Sequence, residues 1–163
     1  MRFFPIAVAV AAVAAIPAFA QQDGPMRKAG SFTARAEGVV TGTIKGDATL
    51  FVRKAGTHLH LLMNSDQMMS LNTMISVEIV WPTHSSATHY QISDGTAKSR
   101  SIALVQWERL DTRARHTIAA TGSIDFDAKN PMSGRFELTA KDGAETLKLS
   151  GTFKDAPMMD GIN

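Results

Sequence analysis

The chain has 163 residues, enough for one domain with a substantial core, and it contains no cysteine. That excludes disulfides, thiolate nucleophiles and Cys-ligated zinc or iron–sulfur centres, so an exported fold must rest on its core alone. Lys and Arg number 17 against 15 Asp and Glu; although the pI is about 9.1, this near balance gives no field that recruits nucleic acid or an anionic membrane surface.

Residues 1–20 read as a cleaved export signal. Arg2 supplies the positive start, an apolar run follows from Phe3 to Ile16, and Ala18-Phe19-Ala20 closes it with an A-x-A cleavage pattern. The run is shorter than the roughly 20 residues of a membrane-spanning helix, and no second hydrophobic stretch follows. No cysteine sits at the cleavage point to carry a lipid anchor. The expectation is a bacterial protein, periplasmic or secreted and not membrane-spanning. Residues 21–30 carry Gly24, Pro25 and Gly30 without periodicity and read as a flexible leader.

From Ser31 onward the dominant period is two, which predicts an antiparallel β domain over 31–154. Phe32 to Ala36, Val39 to Ile44, Ala48 to Arg53 and Thr57 to Met63 are strand candidates, separated by Gly38, Gly46-Asp47 and Gly56. Ser65 can cap a short helix over 66–73, where Met68, Leu71 and Met74 recur at helical spacing. Ile75, Val77, Ile79 and Trp81 then alternate inward until Pro82. Thr88 to Ile92 and Ile102 to Trp107 follow, with Asp94-Gly95 as the turn between them.

Residues 116–154 give the clearest pattern. Ile118, Ala120, Gly122, Ile124 and Phe126 point one way, as do Phe136 and Leu138, and then Leu147, Leu149 and Phe153. Turns at Asn130-Pro131 and Asp142-Gly143 make this a three-stranded meander. It looks like the closing meander of many small exported bacterial β proteins, and no catalytic residue comes with that likeness. Residues 155–163 read as a flexible tail. The fold expected is all-β, an antiparallel sandwich or small closed barrel with one short helix.

The candidate metal ligands are His58 and His60, two apart and so on one face of a strand, with Met63, Met68 and Met69 following. Imidazole with thioether suits copper. The competing reading makes the methionines core and the histidines surface. His84 lies among Thr83, Ser85 and Ser86, but no G-x-S-x-G elbow accompanies them. Asp125 and Asp127 share a face as a carboxylate pair, and read as cross-strand ion-pair partners of Lys129, Arg135 and Lys148. Arg113 and Arg115, with Lys98, Arg100 and Arg109, form one basic concentration near Trp107, interrupted by Glu108 and Asp111.

These readings predict a non-catalytic binding or interaction module that holds a small apolar ligand or an envelope protein, with no cofactor and no nucleic acid. The alternative is a copper-handling protein using His and Met ligands. Whether the inward Trp, Phe and Met fill a core or line a cavity is left open by alternation alone, as is the oligomeric state.

Overall fold

The computed structural model describes residues 28–52, 58–65, 73–83, 87–93, 101–109, 112–127 and 129–159. Within them are ten strands: β1 (Gly30–Gly38), β2 (Gly42–Val52), β3 (His58–Ser65), β4 (Thr73–Pro82), β5 (His89–Ile92), β6 (Ile102–Arg109), β7 (Ala114–Phe126), β8 (Met132–Asp142), β9 (Glu145–Ala156) and β10 (Met158–Met159). The sheet runs β1-β9-β8-β7-β6-β4-β3-β2, and β2 pairs directly with β1. That last pairing closes an eight-stranded antiparallel barrel. Of the two architectures open to the sequence, the barrel is the one formed.

Alternation explains the interior. β1 reads buried-exposed over its length, and β2, β4, β8 and β9 repeat the rule. Phe32, Ile44, Leu61, Met63, Ile79, Trp81, Trp107, Phe136 and Phe153 are each no more than 3 % exposed and belong to one buried cluster. Large residues lie opposite small ones: Ala103 against Ile79, Ala140 against Leu147, Ala36 against Leu149 and Ala48 against Met63. This exchange of volume lets side chains from the whole circumference meet in a narrow barrel. Trp81, Tyr90 and Phe126 close one end as an aromatic cluster with ring centroids 5.1–6.5 Å apart. At the other end His116 stacks on Trp107, with centroids 5.3 Å apart.

Several boundaries differ from the sequence reading. Gly46-Asp47 is not a turn: β2 passes straight through it. A Cβ at Gly46 would lie 1.9 Å from the Asn64 carbonyl oxygen and 2.8 Å from Phe32 Cε1, so this glycine makes room for both the β3 backbone and a ring. The strand system begins one residue early, since Gly30 already pairs with Ala48. It also ends late. β9 extends to Ala156, and Met158–Met159 pairs in parallel with Leu50 and Phe51, so residues 155–159 belong to the sheet rather than to a tail. β5 and β6 are not a hairpin. Both lie against β7, where Ile92 faces Gly122 and Ala103 faces Ala120, so they form one interrupted strand line. A parallel bridge from Ser93 to Ile102 joins them.

The described residues contain no helix. Thr73 and Met74, placed at the end of the expected helix, open β4, and Met74 points outward at 39 % exposure. The remainder of that segment, 66–72, lies outside the described residues, as do the export signal and residues 21–27 of the leader. Among the described residues no helix is long and apolar enough to cross a membrane.

Candidate functional site

Strand parity separates the expected metal ligands. Leu61, Met63 and Ser65 face the interior, and Met63 is fully buried there. His58 and His60 take the opposite parity, on the outer wall. Met63 therefore does not meet the histidine pair, while Met68 and Met69 lie outside the described residues. What the fold does bring to His60 is Glu78 of β4. The imidazole Nδ1–H donates to Glu78 Oε1 at 2.7 Å. Phe51 stacks on the same ring at 5.0 Å between centroids, and His60 is only 8 % exposed. Sequence reasoning missed Glu78; only the register of β3 on β4 makes it the partner. Among the described residues no group of three or more His, Asp or Glu is placed to hold a metal ion.

The carboxylate pair divides into two roles. Asp125 accepts from His89 Nδ1 at 2.7 Å and from Arg135 Nε at 3.0 Å, the cross-strand pairing its outward position called for. Asp127 lies just past β7 and accepts from the backbone N–H groups of Ser133 at 3.0 Å and Lys129 at 3.3 Å, tying the β7–β8 turn. The hydrogen bond from His89, then that from Arg135, holds the Asp125 carboxyl below its ordinary value; the Ser133 backbone does the same for Asp127. A general acid needs the opposite shift. In the basic concentration, Arg115 is engaged by Glu108, with Nη2 2.7 Å from Oε2. His116 is held over Trp107 by Asp142 Oδ2 at 2.8 Å. His84, Lys98 and Arg100 fall outside the described residues.

The outer wall has two characters. Over β2, β3, β4 and β6 it carries an apolar strip: Phe51, His60, Val80 and Ile102 form one row and Leu62, Glu78, Leu104 and Ala119 the next, before the polar row Asp47, Asn64, Ser76, Gln106 and Thr117. Over β5, β7, β8, β9 and β1 it is polar. There Gln91, Ser123, Glu137, Ser150 and Arg35 follow one another as register partners across five strands. Thr139, Lys148 and Glu37 form the neighbouring row, about 7 Å along the strands.

Between these two rows the polar wall is concave, enclosing a groove of about 460 Å3 floored by Gly122, Leu138 and Leu149. Glycine lets the strands of this wall approach one another closely. Gly122 has φ 148, and a Cβ there would stand 1.9 Å from the Glu137 carbonyl oxygen; one at Gly151 would stand 2.5 Å from that of Thr33. Both positions take the inward parity of their strands, and a side chain at either would collide with the neighbouring strand's backbone. A smaller depression of about 300 Å3 adjoins at Ser123 and Glu137 and extends the groove to Asp125 and Arg135. A third cavity, about 610 Å3, lies at the barrel end beside Lys28 to Ser31, Asn130, Pro131 and Lys154.

No protein-family model, curated protein or solved structure matches this chain.

Within the groove Gln91, Ser123, Glu137, Lys148 and Ser150 make no side-chain hydrogen bond or ion pair with any described residue, whereas Arg35 is 2.9 Å from Glu37. Free hydrogen-bonding groups thus converge on it from β5, β7, β8 and β9. The sequence reading named only Lys148, as an ion-pair partner of Asp125 and Asp127 that it does not become; each of the five looks like an ordinary outward polar residue of its own strand.

Proposed function

We propose that this chain is an exported, non-catalytic binding module that holds its ligand on the outer wall of the barrel. The observation that carries the proposal is the groove over β7, β8 and β9, into which five strands contribute polar side chains. The described inward positions form one buried apolar cluster, and the groove's polar lining favours a polar ligand over the small apolar one expected from alternation. The apolar strip is a poorer surface for an envelope protein, since Val80 and His60 within it are already reduced to 9 % and 8 % exposure. Asp125 and Asp127, the carboxylate pair considered for acid–base work, are each tied to neighbouring strands or turns, which favours binding over catalysis by that pair. Export is supported by the signal pattern of residues 1–20.

The test is fragment screening by amide chemical-shift mapping on the full chain. Bound fragments are expected to shift Gly122, Ser123, Leu138 and Leu149. Hits that move only the resonances of interior residues such as Ile79 and Trp107 would overturn the proposal.

A further inference from the structure

Resting on the groove as the binding site, we infer that its ligand is a neutral saccharide, recognised through vicinal hydroxyl pairs.

The chemistry of the side chains argues this. Glu137 and Gln91 are planar groups with two hydrogen-bonding atoms side by side, placed along one row of the wall that ends at Arg35, whose Nε is paired with Glu37. A carboxylate accepts from two adjacent hydroxyls, and a carboxamide accepts from one and donates to the other. Adjacent hydroxyls on a sugar ring present that spacing. The hydroxyls of Ser123 and Ser150 flank Glu137 on both sides and can donate or accept.

Charge points the same way. Arg35 and Lys148 are balanced by Glu37 and Glu137, so the groove has no net charge to select an anion or a cation. Its Leu138 and Leu149 side chains are turned into the core, at 3 % and 2 % exposure, and offer no apolar side-chain surface. A volume of about 460 Å3 lies in the range of small-molecule sites and accepts a few sugar rings. Glu137 is the central recognition group: it lies between the two serines, and both depressions share it.

The experiment is a titration of the 15N-labelled full chain with four probes: maltotriose, tri-N-acetylchitotriose, the dipeptide Lys-Asp and palmitate. Saturable shifts at Ser123, Glu137 and Ser150 with either saccharide, weakened about tenfold in Glu137→Ala and in Gln91→Ala, are expected. Both variants are outward-facing, and an unchanged melting curve confirms that each is folded. Saturation of the groove by the dipeptide or palmitate alone would overturn the saccharide assignment and leave the groove as a binding site. If no probe moves the groove amides, saccharide binding is refuted; the fragment screen judges the groove separately.

Discussion

The ring of Phe153 occupies the space a side chain on Gly134 would need. A Cβ at Gly134 would lie 2.7 Å from Phe153 Cζ and 2.2 Å from the carbonyl oxygen of Asp125. The ring has little room to retreat within a full interior, and the carbonyl belongs to neighbouring β7. Gly134→Ala is therefore expected to cost about 3 kcal/mol, read from the midpoint of urea unfolding. Gly143→Ala is the contrast. Nothing lies within 4 Å of its Cβ position, and only its left-handed φ of 58 opposes the change, so about 1 kcal/mol is expected.

Acid stability should depend on Asp125 and Asp127. Both carboxyls titrate below their ordinary value of 3.8 in the folded chain. A depressed folded-state pKa contributes stability that is present above the unfolded value and lost as pH falls through the folded one. Melting temperatures are expected to decline as pH drops below about 4, and Asp125→Asn to flatten part of that decline. An unchanged acid limb in the variant would refute the assignment.

Glu78 is expected to matter because His60 is buried beside it. Glu78→Ala leaves an imidazole N–H at a site 8 % exposed without its acceptor, at a cost of about 2 kcal/mol. Glu78→Gln keeps an acceptor and should cost less. Equal losses in the two variants, compared by urea midpoints, would contradict this account.

The C-terminal strand covers an edge. β1 pairs with β2 only as far as Ala48, and Leu50 N then donates to Pro157 O at 3.0 Å. Ending the chain after Pro157 removes β10, uncovers Phe51 and exposes part of that edge. Lower stability and concentration-dependent self-association are expected, the latter measured by light scattering on a sizing column.

Side-chain direction was legible in the sequence, because alternation is a property of each strand alone. The inward sets of β4, β7, β8 and β9 were readable, as were both tryptophans, Trp81 on β4 and Trp107 on β6. Punctuation was less reliable. Asp142-Gly143 is a true turn, with nothing crowding Gly143, whereas Gly46-Asp47 carries a similar signal inside a strand. The difference is the Asn64 carbonyl and the Phe32 ring, which come from other strands. The candidate site was least legible. His58 and His60 were visible as a pair, but Glu78 becomes a partner of His60 only through register.

The sequence by itself determined an all-β chain with an apolar interior and, at its start, an export-signal pattern; both follow from runs of neighbouring residues. Closure of the barrel, the apolar strip on one side of its outer wall, and the groove on the other were decided by tertiary structure alone. Each depends on which residues stand opposite one another across strands far apart in the chain. The groove is the clearest instance: Ser123, Glu137 and Ser150 stand side by side only because the register of β7, β8 and β9 sets them opposite one another.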